Sequence, residues 1–217
     1  MASLFKKFKK NIPVPTSKNS TYYKRENNIG NTEDLKRILL ATPDLKAFKT
    51  DKTITFNNIP LPEITFPKLK EKFGNPAHVY KNEQVEGHTV MFYRDSVSYY
   101  KFLIQYHFIN NAFFFAANKI STTGILSDSD KKKIVDRICK KYLDKAFDEK
   151  EGWLIKVSDP IGNQIHTLDD VYFHLYYLAE NETTRKLREH YLGEIPDVTE
   201  KPTGFKESLE PVPQQIQ

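Results

Sequence analysis

Histidine titrates nearest to neutral pH, so the six in this chain, His78, His88, His107, His166, His174 and His190, are its first candidates for acid–base chemistry. None stands in a His-x-x-x-His or His-Glu-x-x-His pattern, the spacings that put two ring nitrogens on one helix face for a metal ion. Cys139 is the only cysteine, which excludes an internal disulfide and any cysteine-based metal cluster. It falls on the apolar stripe of a helical segment and reads as a buried structural thiol. The 8 glycines form neither a Gly-x-Gly-x-x-Gly nor a Gly-Lys-Ser/Thr phosphate loop, and no serine sits in a Gly-x-Ser-x-Gly elbow. The motifs therefore imply no metal, no cofactor and no small-molecule ligand, and they weigh against an enzyme.

One scattered cluster deserves a chemical reading. If 95 opposes 99 and 109 opposes 112, His107 would oppose Phe114 and Gly87 and Tyr93 would oppose Lys101, with Arg94 and Asp95 at the adjoining turn. A His with neighbouring Tyr, Lys and Asp can move protons. This makes an enzyme of unassigned class the main alternative. The competing reading treats the same stretch as a contact surface. Met91, Tyr93, Leu103, His107 and Phe114, with Thr89 and Gln105, would share a face too apolar to be left wet and too polar for a plain core. Such a face is covered either by later strands or a helix of the same chain, or by a partner.

The elements that would position these residues lie in 88–121. Strands at 88–94 and 99–109 would join through Asp95–Ser98, and a third at 112–121 would return through Asn110-Asn111, residues that tolerate a tight hairpin. If 95 opposes 99, Phe92 meets Phe102 and Val90 meets Ile104. If 109 opposes 112, Phe108 meets Phe113 and Tyr106 meets Phe115. The two pairings place the same alternate residues on one apolar face, which predicts a three-stranded meander.

Around it the patterns predict short helices and further strands. Thr32 can cap a helix over 33–41 with Glu33 and Asp34 in its first turn. Thr65 caps a helix over 66–73 that ends at Gly74. Ser127 and Asp130 resemble a capping box for a helix reaching Leu143, and a last helix runs over 183–192. Strands are expected at 53–61, 152–158, 164–168 and 171–179, the last on its β-branched and aromatic content. The sum is an α+β fold: an antiparallel sheet of the meander 88–121 and further strands in 152–179, packed with short helices. Residues 1–31 read as an extended basic arm, 32–193 as one α+β domain divisible into lobes 32–125 and 126–193, and 194–217 as a Pro-rich tail.

Composition bounds the partners. The 217 residues carry 39% hydrophobic and 13% aromatic side chains, enough for a core, and a formal charge of only +5. That charge permits an acidic partner without requiring one. In a helix Leu4, Phe5 and Phe8 would lie opposite Lys6, Lys7, Lys9 and Lys10, a pattern that suits a partner's groove or an anionic membrane surface through residues 1–12. Lys131–Lys133 with Lys140-Lys141 make a second basic patch, but no ribonucleoprotein motif accompanies it, and nucleic acid is the weakest of the partner readings. No apolar run reaches the ~18 residues of a membrane span, and no apolar core follows the basic start as in a secretory signal. The expectation is a non-enzymatic, cytoplasmic protein-interaction module, a subunit or adaptor of a larger assembly. Its contacts would run through Leu4, Phe5, Phe8 and the mixed face of Met91, Tyr93, Leu103, His107 and Phe114. A basic adaptor for membrane or nucleic acid is the further alternative.

Overall fold

The computed structural model describes residues 20–40, 45 and 47–193. The three central strands are β5 (His88–Val97), β6 (Tyr100–Ile109) and β7 (Ala112–Ser121), each rich in the aromatic and branched residues that suit a pleated surface. Asn110 and Asn111 take φ values of 49° and 67° and close the β6–β7 hairpin as expected.

The register between β5 and β6 differs from the sequence expectation. The strands run on through residues 95–97, so that Val97 pairs with Tyr100 around Ser98, which adopts φ 56°. Phe92 therefore faces Gln105, and Val90 faces His107. The change is an odd number of residues, so it exchanges the two faces of β5 relative to β6. A bulge opposite His107 and Phe108 leaves Phe114 unpaired and reverses β7 as well, with His107 now opposite Phe115.

Among the described residues the main sheet has eight strands in the order β1-β8-β9-β10-β7-β6-β5-β4. The added strands are β1 (Ala47–Lys49), β4 (His78–Lys81), β8 (Lys156–Ser158), β9 (Gln164–Asp169) and β10 (Phe173–Leu178). Neighbours are antiparallel except β1, which runs parallel to β8. The strand expected in 171–179 forms as β10, and its length is set by pairing to both β7 and β9. The segment expected as one strand at 53–61 is instead a hairpin of β2 (Thr55–Phe56) and β3 (Ile59–Pro60), turned by Asn57 and Asn58 at φ 49° and 61°.

Five α-helices occur among the described residues: α1 (Ser20–Glu26), α2 (Thr32–Leu40), α3 (Phe66–Phe73), α4 (Asp128–Tyr142) and α5 (Glu182–Leu192). Ser127 and Thr65 cap α4 and α3 as expected, and Asn181 caps α5. For α2 the cap is Asn31 and not Thr32, which is already in the helix: the Asn31 Oδ1 accepts the N–H groups of Glu33 and Asp34. No helix of the described residues is long and apolar enough to cross a membrane.

Helices cover both faces of the sheet. On one, Met91, Tyr93, Phe102, Ile104, Tyr106 and Phe108 pack with Leu69 of α3 and Val135, Ile138, Cys139 and Tyr142 of α4. On the other, Val90, Phe92 and Leu103 lie under Tyr23 of α1, while Phe115, Ala117, Tyr176 and Leu178 meet Ile29, the α2 stripe Leu35, Ile38, Leu39, and Leu187 of α5. Fully burying one such large apolar side chain contributes about 1.5–3 kcal/mol. Residues 20–31, expected in an extended arm, are thus helix and packed loop, with Tyr23 and Ile29 at 0% exposure. Their polar composition hid two apolar anchors. Leu4, Phe5 and Phe8, and the Pro-rich tail 194–217, lie outside the described residues.

Candidate functional site

Five of the six histidines stand on one face of the sheet, the face under α1, α2 and α5. Opposed residues in neighbouring strands share a face, and the pairings give one continuous row: His78, Phe92, Gln105, Ala117, Tyr176, His166. His174 precedes Tyr176 by two residues on β10, so it shares that face; His88 and His107 do so through the pairings of β5 and β6.

The hydrogen bonds around His88 and His107 fix a single protonation pattern. The Asn82 side-chain NH₂ donates to the carbonyl of Ile29 at 2.7 Å, and its Oδ1 accepts the Gln84 N–H, so the amide has one orientation. The same NH₂ lies 3.1 Å from Nδ1 of His88, which must accept. His88 Nε2 then carries the proton and donates to His107 Nδ1 at 3.0 Å. The other nitrogen of His107, Nε2, has no hydrogen-bond partner.

A second polar cluster surrounds Tyr176. Its hydroxyl accepts from Asn28 Nδ2 at 2.7 Å, with the rings of His166 and His174 centred 5.2 and 5.6 Å from its own. Gln105 holds the chain above it, accepting the Asn28 N–H and donating to the Glu26 carbonyl. Lys119 pairs with Glu26 at 2.5 Å and lies over the Tyr172 ring at 3.9 Å.

Burial dominates the titration of all these groups. It lowers His88 and His166 to about 4, lowers His78 and His174, and holds His107 well below the usual imidazole range, helped by His88. It also raises Tyr176 to about 12. At neutral pH these rings are uncharged, and His107 Nε2, His166 Nδ1 and His174 Nδ1 are buried without a hydrogen-bond partner among the described residues. No three His, Cys, Asp or Glu side chains stand together as a metal site among the described residues.

The residues expected to act together are separated. Tyr93 opposes Ile104 and Asp95 opposes Phe102, on the α3–α4 face; His107 opposes Val90 on the other face, with Lys101 at the far end of the same strand. Six residues along a strand is ~20 Å, so His107 and Lys101 do not meet. The face expected from Met91, Tyr93, Leu103, His107 and Phe114 is divided between the two sides. All five are buried by the chain itself, Met91, His107 and Phe114 at 0% exposure. The register and bulge that part them also supply their cover, so the intrachain alternative is the one realised.

A different surface remains apolar and open. The β5–β6 turn, the 122–126 segment after β7 and the β9–β10 turn all fall at one end of the sheet, because Lys101 pairs with Ser121 and Phe173 with Ile120. There Tyr99, Ile125, Val171 and Tyr172 are exposed by 50%, 73%, 66% and 40%. Leu154, next to β8 at the same end, is also exposed. Three strand spacings, ~14 Å, separate the two hairpin turns, with the Ile125 segment between them. Sequence reasoning passed over these residues because they stand in turns outside any periodic pattern. The available signal was a large apolar side chain directly after a turn former, as in Gly124-Ile125 and Asp170-Val171.

The Tyr99 corner is held firmly. The hydroxyls of Tyr99 and Tyr100 each donate to Asp130 Oδ1 at 2.7 Å, and Ser127 donates to Oδ2. These bonds hold the Asp130 carboxyl well below the usual carboxylate range and lock the turn to the start of α4.

Comparison of the chain with protein-family models, with curated proteins and with solved structures finds no match.

Proposed function

We propose that this chain is a non-enzymatic, cytoplasmic protein-interaction module, a subunit or adaptor that docks through the end of its sheet. The observation that carries the reading is the grouping of Tyr99, Ile125, Val171 and Tyr172, all exposed, on turns at that one end. Large apolar side chains clustered in water mark a contact surface more often than an accident of sequence. Aromatic residues with a polar tip, such as Tyr99 and Tyr172, are favoured at such contacts. The buried, neutral imidazoles argue in the same direction, since none is presented to a substrate. The partner is another protein subunit or a second copy of the chain.

The test is sedimentation of the full chain over a range of concentrations, with photo-crosslinking from positions 125 and 171 in the source cytoplasm. The reading expects a stoichiometric complex, crosslinked from 125 or 171 and not from a control site at Lys186 on α5. The I125D/V171D variant should keep its fold and lose the complex. A monomer at every concentration, with crosslinks no stronger than at the control, overturns it.

A further inference from the structure

We propose that residues 20–40 form a strap that acid releases from the sheet, because five imidazoles lie on the face it covers and its polar ties run to them or to their direct partners. This inference is independent of the docking surface at the sheet end.

The ties can be followed one by one. Tyr23 of α1 stacks on His78 with ring centroids 4.8 Å apart and planes 9° from parallel. The Ile29 carbonyl is held by Asn82, which in turn holds His88 and through it His107. Asn28 is held by Tyr176 and Gln105, with His166 and His174 against the Tyr176 ring. Glu26 is held by Lys119.

Within the His88–His107 pair a proton has no favourable place to go. On His88 it would turn Nδ1 into a donor aimed at the Asn82 NH₂. On His107 it would turn Nδ1 into a donor aimed at the His88 Nε2–H. Either event breaks the chain of bonds that reaches Ile29.

The surrounding charges do not compensate. Among the described residues no charged side chain acts on His78 or His88, and His107 feels only His88. Lys156 of β8 opposes a charge on His166, and Lys119 of β7 opposes one on His174. Arg37 of α2 lies near Tyr176, and Arg94 of β5 stands over Tyr22 and Tyr23 at 4.7 and 5.2 Å. Among the described residues only Glu26 and Asp170 favour an imidazolium, both at His174. Glu26 is already spent on Lys119, and Asp170, whose Oδ1 lies 3.5 Å from His174 Nε2, is exposed, so water screens its pull on that one ring. Asp34 of α2 is likewise engaged, by Gly30 N–H and Arg37.

Lifting the strap lets water reach the rings, and the released state then binds protons that the closed state refuses. For one ring held at about 4 when covered and at 6.5 when hydrated, the opening constant rises roughly 25-fold between pH 7 and pH 5. Release would bare Val90, Phe92 and Leu103, now packed under Tyr23.

Hydrogen exchange of the full chain read by mass spectrometry, corrected for the intrinsic pH dependence of exchange, tests this without any substitution. The expected result is opening of 20–40 that increases at least ~25-fold from pH 7 to pH 5 while amides of β6 and β7 keep their protection. An H166F variant should lose much of that pH response, and H190N, on α5, should keep it. Unchanged exchange in 20–40 at pH 5, or loss there in step with β6 and β7, overturns the proposal.

Discussion

His88 Nε2 and His107 Nδ1 face each other at 3.0 Å on adjacent strands, in a site where the two residues are 2% and 0% exposed. Neither ring can satisfy the other if both are protonated, so the pair has one stable arrangement: His88 protonated on Nε2 and bare on Nδ1. Long-range ¹H–¹⁵N correlation spectra at pH 7 should show that tautomer for His88. An Nδ1–H form at His88 contradicts the Asn82 relay.

Stability should fall with acid before the carboxylates titrate. His88 and His166 have lowered values of about 4 in the fold against 6.5 when unfolded, so the unfolded chain binds more protons below pH 6.5. Their contribution is present above about 6.5 and is lost as pH drops toward 4. Each accounts for about 2 kcal/mol between pH 7 and pH 5. Urea denaturation at the two values should show a lower midpoint at pH 5; equal midpoints would refute the neutral buried rings.

Asp130 works in the opposite range. Its carboxyl is lowered by Tyr100, Tyr99 and Ser127, so its contribution is present above the unfolded value and disappears as pH falls below about 4. D130N keeps the shape but removes the charge at the start of α4 and weakens three hydrogen bonds. A loss of about 1–3 kcal/mol is expected by chemical denaturation at pH 7, and a loss below 0.5 would show the cluster to be passive.

Asp159 is a second carboxylate with a purely structural task. It is 4% exposed and accepts from the backbone N–H groups of Ile54, Ile161 and Asn163 and from the Asn163 side chain. It closes the β8–β9 turn and pins the approach to β2. D159A leaves several buried donors unpaired and should cost about 3 kcal/mol or more in thermal or urea unfolding, whereas an exposed control such as D51A should stay near wild type.

Gly87 is required by backbone and by space. Its φ is +68°, and an added Cβ would lie 2.2 Å from Asn110 Oδ1 and 3.3 Å from the Asn110 backbone N, so G87A must displace the Asn110 side chain as well as strain its own backbone. A cost of about 2–4 kcal/mol is expected. G124A, with nothing within 4 Å of the new methyl, should be close to neutral in the same assay.

Several elements were legible in the residues themselves. Thr65, Ser127 and Gly74 mark helix ends through local hydrogen bonds and φ, and each stands where expected. Asn110-Asn111 fixes its hairpin for the same reason: the turn chemistry lies within two residues. Strand content at 88–121 and 173–178 followed from composition.

The register did not, and the reason is physical. Alternation specifies a register only when one face is wet, and here helices cover both sides of β5, β6 and β7, so apolar residues occupy both. A shift of three residues in β5–β6 and the bulge at Phe114 were each invisible to pattern, yet the shift moved Met91 and Tyr93 away from His107 and the bulge left Phe114 unpaired. The anchors Tyr23 and Ile29 were hidden among polar neighbours, because two apolar residues give no periodicity. Short-range chemistry legible in the residues specified the mixed α and β content, the caps at Thr65 and Ser127, and the Asn110-Asn111 turn. Tertiary structure alone decided which imidazoles share a face, what covers them and which turns meet at the sheet end, since those depend on pairing between residues distant in the chain.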